Sequence, residues 1–236
     1  MERVNRTALV IVAASLFLTT GAARAGDPQP LTECNQEVSG DFYLPTDLDC
    51  TGADYGVTFV GRGTLDMRGF SIQHARLTQI YCEKRCSILG PGMVADTPDG
   101  SGIVSLRRKV RVQNVSLHDF YWEFFAIAAG SLELVDSDVN GSVYGRRRAV
   151  VENSTITGAA CSGLVSGFYK SVGCGGGRVV VTNSTITGNV TNSPGSCGPK
   201  SADIATCASP ELDEASSCGT SHKYGETETW GVCSSD

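Results

Sequence analysis

Six segments of this chain carry one pattern, and a unit this short must stack on its neighbours. Val110-Arg-Val-Gln-Asn-Val-Ser-Leu117 lies over Leu132-Glu-Leu-Val-Asp-Ser-Asp-Val139. Ala149-Val-Val-Glu-Asn-Ser-Thr-Ile156 and Val179-Val-Val-Thr-Asn-Ser-Thr-Ile186 follow the same pattern. Two earlier segments fit with Gly at the turn: Leu65-Asp-Met-Arg-Gly-Phe-Ser-Ile72 and Cys86-Ser-Ile-Leu-Gly-Pro-Gly-Met93. The turn residues are then Gly69, Gly90, Asn114, Asp136, Asn153 and Asn183, separated by 21, 24, 22, 17 and 30 residues. The unit is about twenty-two residues long, with one trimmed turn and one insertion between Gly167 and Gly177.

Apolar, any, apolar is the period-two signature of a strand with one buried face. An Asn, Asp or Gly then bends the chain, because these residues tolerate left-handed backbone geometry. A second short strand returns Leu117, Val139, Ile156 or Ile186 to the same interior. One unit cannot bury its own apolar face, so the units stack like on like. Valines then lie over valines inside, and the bend asparagines stack inward over one another. No helical periodicity follows the N-terminal segment.

These segments resemble the right-handed parallel β-helix repeats of the pectate-lyase-like (pectin lyase fold) superfamily, over roughly residues 57–190. The resemblance implies an all-β, single-stranded right-handed parallel β-helix of about six coils. Leucine-rich repeats demand far more Leu, and an antiparallel sandwich leaves a periodic Asn unexplained. Residues 26–56 are expected to cap the N-terminal end, where an open coil would leave strand groups unpaired. Residues 191–236, rich in Ser, Gly and Cys, have too few apolar side chains for a core of their own.

Residues 1–25 read as a signal peptide: Arg3 and Arg6, an apolar run from Ala8 to Leu18, then Ala23-Arg24-Ala25 before the expected cleavage. The run is shorter than the roughly 20 residues a spanning helix needs, so stable membrane insertion is not expected. The mature chain is expected to be secreted, extracellular or periplasmic. All ten cysteines follow: Cys34, Cys50, Cys82, Cys86, Cys161, Cys174, Cys197, Cys207, Cys218 and Cys233. An even count behind a signal peptide reads as a disulfide framework. A zinc site would want several close Cys/His pairs, and only Cys82 and Cys86 are close. Ten cysteines allow hundreds of pairings; sequential pairing, Cys34 with Cys50 and Cys82 with Cys86, is the simplest.

The chain holds 19 basic and 25 acidic residues. Without residues 1–25 the balance becomes 16 against 24, a formal charge of -8, a poor match for nucleic acid. Yet basic residues recur just before the strands: Arg62, Lys84 and Arg85, then Arg107, Arg108 and Lys109, then Arg146, Arg147 and Arg148. Stacked units would align them along one corner. Guanidinium forks suit carboxylates and sulfates, so an acidic polysaccharide is the expected partner. A merely solvated corner is the competing account.

The loop Phe120-Tyr-Trp-Glu-Phe-Phe125 places Tyr121, Trp122 and Glu123 where superfamily enzymes often form a substrate groove, with His118 and Asp119 beside it. Flat rings stack on sugar faces; the competing account has the phenylalanines covering the core. Asn-x-Ser/Thr sequons occur at Asn114, Asn140, Asn153, Asn183 and Asn189, and the bend position gives three of them a structural role. The resemblance implies two possible chemistries. Related lyases use an Arg or Lys base with Ca²⁺ on several carboxylates, and related glycosidases use paired carboxylates. Asp136 and Asp138 are two apart, but Asp136 occupies the bend position; Asp96 and Asp99 read as a turn that binds Ca²⁺ weakly at most, and neither pair forms a recognisable signature. The leading expectation is a non-enzymatic, glycan-binding or structural protein without a cofactor. A small polysaccharide lyase or hydrolase, with Ca²⁺ in the lyase case, is the alternative.

Overall fold

Alternation of apolar and polar residues makes strands here. The computed structural model describes residues 26–97, 100–120, 125–157, 160–162, 164–166, 172–174, 177–187, 204–206, 211–218, 221–223 and 229–231. Among these, every helix or strand is a β-strand. The strands form sheets of fifteen, eight and two. Pairing is parallel throughout the two large sheets, except where Ser221–Lys223 meets Thr229–Gly231.

The largest sheet holds two rows of pairing. Tyr55–Asp66, Ser101–Gln113 and Phe125–Val135 run through both rows. Their neighbours are broken between the rows, as in Thr78–Cys82 followed by Cys86–Leu89, or Ser142–Gly145 followed by Arg148–Glu152. We call these the first and second faces, and the break between them the basic corner. The third face is the eight-stranded sheet, from Leu48–Asp49 to Ser217–Cys218. The chain thus passes from face to face and advances one strand with each circuit, which is compatible with a parallel β-helix. Strands from 26–56 and from 191–236 add to the same sheets, so pairing extends past the 57–190 repeat at both ends.

The interior is built by register. On the third face Leu48, Ile72, Val94, Leu117, Val139, Ile156 and Ile186 follow one another directly. On the second, Val112, Leu134, Val151 and Val181 do the same. All of these are buried, and each aliphatic side chain removed from water contributes roughly 1.5–3 kcal/mol.

The bend residues take the expected left-handed backbone: φ is 57° at Asn114, 49° at Asp136, 48° at Asn153 and 46° at Asn183. Their side chains do not stack inward, contrary to the sequence expectation. They form an exposed ladder in which Asn183 Nδ2 donates to Asn153 Oδ1 at 2.8 Å and Asn153 Nδ2 donates to Asp136 Oδ1 at 3.1 Å. The residue that turns inward is the next one. Ser137, Ser154, Ser184 and Ser216 are buried, and each hydroxyl accepts the amide hydrogen of the preceding unit. The donors are Val115, Ser137, Ser154 and Ser184, at 3.2, 3.1, 3.0 and 3.2 Å. Ser137, Ser154 and Ser184 each also donate to the carbonyl two residues back at 2.7 Å. Buried backbone groups must be paired, and a small hydroxyl serves both a donor and an acceptor here.

A second correction concerns Gly69. Leu65 pairs with Ile88, and Ile88 with Val112, so Met67, not Gly69, lies over Gly90. The extra residues form a wider bend in which Arg68 and Gly69 are both left-handed, with φ of 52° and 88°.

Candidate anion site at the basic corner

The corner aligns its cations by backbone register. Gly63 pairs with Cys86, Cys86 with Val110, Leu132 with Val110 and Ala149 with Leu132. The residues preceding these partners are therefore Arg62, Arg85, Lys109, Ser131 and Arg148, on successive strands. Lys84 with Arg85, Arg107 with Arg108, and Arg146 with Arg147 project from the same corner, and all are exposed. The Cys82–Cys86 disulfide, with Cα atoms 6.1 Å apart, ties the two faces across the corner that carries Lys84 and Arg85.

Three cations away from the corner are neutralised among the described residues. Arg68 pairs with Asp66 at 3.5 Å, Arg76 with Asp54 at 2.7 Å, and Arg178 with Glu211. Lys109 is the exception within the corner: its ammonium pairs with Glu133, which Arg111 also approaches at 3.9 Å. The hydrogen bond from Lys109 holds the Glu133 carboxyl below its ordinary value, against the opposing effect of partial burial. Among the described residues Arg62, Lys84, Arg85, Arg107, Arg108, Arg146, Arg147 and Arg148 have no ion-pair partner. Of this row, Arg148 acts on the Glu133 carboxylate from beyond ion-pair distance.

Between two of its arginine pairs the corner is hollow. Arg107, Arg108, Gly130, Arg146 and Arg147 line a notch of about 190 Å³. Gly130 is its floor. A Cβ there would lie 2.3 Å from the Arg107 carbonyl carbon and 2.5 Å from the Arg108 amide nitrogen, so no side chain fills the gap. The amides of Arg146 and Arg147 donate to Ala129 O at 2.8 Å and Gly130 O at 3.0 Å. With those amides used, the corner presents guanidinium groups. The two arginine pairs lie two strands apart, roughly 10 Å, a span that one anionic group bridged by long side chains can fill.

Tyr121, Trp122 and Glu123 lie outside the described residues. Phe125 starts the strand that leads along the first face to Gly130 at the basic corner. Phe125 stacks on Tyr144, with ring centroids 5.4 Å apart and planes 28° apart. Nothing in residue spacing pointed to Tyr144, because the pairing slips between Phe125 and Ile127.

The carboxylate pairs have structural partners. Asp136 accepts from Asn153, and Asp138 is 3.9 Å from His118 Nε2. Both line a polar hollow of about 250 Å³ along the bend ladder. Asp96 faces His74 Nε2 at 3.1 Å, while His74 Nδ1 faces Asp49 at 2.9 Å; Asp99 lies outside the described residues. Thr51 and His74 together lower the Asp49 carboxyl to about 2. No group of three or more His, Cys, Asp or Glu among the described residues is arranged to hold a metal ion.

Cys34–Cys50, with Cα atoms 5.5 Å apart, is the second disulfide, and Cys218 is also disulfide-bonded. The side chains of Cys161, Cys174, Cys197, Cys207 and Cys233 lie outside the described residues. These bonds are compatible with an oxidising, non-cytoplasmic compartment, and no helix among the described residues is long and apolar enough to cross a membrane. Comparison with protein-family models, with curated proteins and with solved structures returned no match.

Proposed function

We propose that this is a secreted right-handed parallel β-helix protein, of the pectate-lyase-like kind, that binds acidic glycans through its basic corner without cleaving them. The observation that carries the reading is the row of arginines, without ion-pair partners among the described residues, opening into the Gly130 notch. Guanidinium groups hold carboxylates and sulfates by paired, charge-assisted hydrogen bonds. A repetitive scaffold offers them at fixed spacing along its length, as a polyanionic chain requires. Repeat alternation, positive-φ bends and parallel register support the β-helix assignment. Right-handedness follows the general preference of parallel crossovers.

The lyase or hydrolase alternative needs an Arg or Lys facing two or more carboxylates in a groove. Around the notch the described residues place arginines together without such carboxylates, which favours binding over chemistry.

The test is co-sedimentation of the mature protein with acidic and neutral polysaccharides, with and without Ca²⁺. Unsaturated-uronate absorbance and reducing-end release are followed in parallel. Binding to acidic polymers alone, without product, is expected. It should be lost when Arg146, Arg147 and Arg148 are replaced together by Ser. Product formation would make the protein an enzyme, and unchanged binding by the triple variant would remove the corner from the account.

A further inference from the structure

The outer surface of the first face carries a second row beside the cations. Thr58 pairs with Tyr81, Tyr81 with Val104, Val104 with Ala128 and Ala128 with Tyr144. The residue before each of these is buried in the core: Val57, Ile80, Ile103, Ile127 and Val143. Strand side chains alternate between the two sides of a sheet, so the row itself lies outside. Thr58, Tyr81, Val104 and Tyr144 are half-buried there, and Ala128 is buried among them. Tyr81 packs against Tyr55, with ring centroids 5.9 Å apart, as Tyr144 does against Phe125. From Thr58 to Tyr144 the row holds no charged residue, and Glu37, paired with Thr58, bounds it at the N-terminal end. The corner follows this row on four of its five strands. Arg62 stands four residues after Thr58, Lys84 three after Tyr81, Arg107 three after Val104 and Arg146 two after Tyr144. Among the corner residues 62, 83–85, 107–109 and 146–148, Glu83 is the one carboxylate. A cationic row and an uncharged, partly aromatic row thus run side by side for roughly 19 Å, four strand spacings.

We infer that this double row docks the protein on an anionic lipid surface, with the corner cations on lipid phosphates and the uncharged row against the interfacial layer beside them. The inference goes beyond the glycan reading: it shares the corner cations and adds the row that reading leaves unused. A soluble polyanion satisfies the cations and leaves Tyr81, Val104 and Tyr144 facing water. A lipid surface meets both rows at once, because its phosphates and its apolar layer lie in parallel planes. Tyrosine favours that interface, where its ring is apolar and its hydroxyl is wet. Buried apolar area and attraction to anionic lipid add together in such binding, and cations near the surface gain from its negative potential. Charge argues against a second copy as the occupant, since each copy brings the same corner of unpaired cations. With the row half-buried in its own sheet, the contact rests on the lipid interface and does not pass through it.

The test is flotation of the mature protein with vesicles of phosphatidylcholine alone, or of phosphatidylcholine and phosphatidylglycerol in equal parts, at low and high salt. Binding to the anionic vesicles alone, weakened by salt, is expected. Arg146→Ser with Arg147→Ser should weaken it about tenfold or more. Tyr81→Gln with Val104→Gln keeps every cation and should weaken vesicle binding about tenfold, while binding of inorganic polyphosphate, which has charge and no apolar layer, stays within about twofold of the parent. Tyr81→Phe with Val104→Ile keeps the row apolar and should bind the vesicles as the parent does, which separates the chemistry of the row from its packing. Failure of the parent to bind anionic vesicles, or equal binding to neutral ones, would overturn the inference. So would full vesicle binding by the glutamine variant, or its equal loss of vesicle and polyphosphate binding. A parent that dimerises where the glutamine variant stays monomeric would give the face to a second copy and overturn the lipid assignment. These vesicles carry no sugar, so the result stands or falls apart from the glycan reading.

Discussion

The amide of Ser154 donates to the hydroxyl of Ser184 at 3.0 Å, thirty residues further along the chain. Ser184 has no freedom of size there, since its oxygen must reach the Ser154 amide and its own hydrogen must reach Thr182 O. Ser184→Ala leaves the buried Ser154 amide without a partner, while Thr182 O keeps the Asn153 amide. Such a group costs about 1–3 kcal/mol, and the loss should appear as a lower urea midpoint with an unchanged slope. Thr155→Ala, on the exposed side of the next strand, should stay within about 0.5 kcal/mol of the parent.

The bend position can be tested for conformation apart from hydrogen bonding. Asn153 has φ of 48°, where a Cβ costs roughly 1–2 kcal/mol. Asn153→Ala and Asn153→Gly both lose the amide bond to Asp136, and only Ala pays for the backbone. The alanine variant should unfold at lower denaturant than the glycine variant, and equal midpoints would show that the ladder matters more than the bend.

Gly130 is held to glycine by contact, since its φ is not among the left-handed ones. Gly130→Ala forces the Arg107 and Arg108 backbone aside, and overpacking of this kind costs about 1–3 kcal/mol. Thermal unfolding reads the loss. Binding of an acidic polysaccharide should fall with it, because the strain displaces the arginines that line the notch.

Acid should act at Asp49. Its carboxyl is held at about 2, chiefly by the Thr51 hydroxyl and next by His74, against an unfolded value near 3.8. A lowered carboxyl contributes stability that is complete above the unfolded value and lost as pH falls through the folded one. The parent should therefore lose stability between about pH 4 and pH 2. Asp49→Asn should flatten that part of the curve, as urea midpoints measured across the window would show.

The two placed disulfides should differ in effect. Cys34–Cys50 spans 16 residues and Cys82–Cys86 spans 4, and loop-closure entropy rises with span. Replacing the first pair by alanines should cost about 3 kcal/mol and the second about 2 kcal/mol, compared by urea unfolding.

Much of this was legible in residue order because stacking turns sequence period into spatial register. Val112, Leu134, Val151 and Val181 could be aligned by eye, and so could Arg107 and Arg146. The inward serine was not legible. Asn153 and Ser154 are both polar, and only the left-handed backbone at the first decides that the second points inside. Gly69 misled because a wider bend at Arg68 and Gly69 shifts the unit by two. Tyr144 was hidden by the slip after Phe125, which brings together rings that residue counting keeps apart.

The serine ladder has a direction. Each hydroxyl serves the amide of the unit before it, so within this ladder every amide is completed by the following unit. Ser216, whose hydroxyl donates to Asp213, completes Ser184, while the Asp213 carboxylate accepts the Asn183 amide at 3.0 Å. Losing the segment around residue 213 therefore uncovers the 183–184 bend, and losing that uncovers the next. Fraying should start at the C-terminal end and move towards the N-terminus like a zip opened from one side, with amide exchange slowing unit by unit from Ser184 back to Val115.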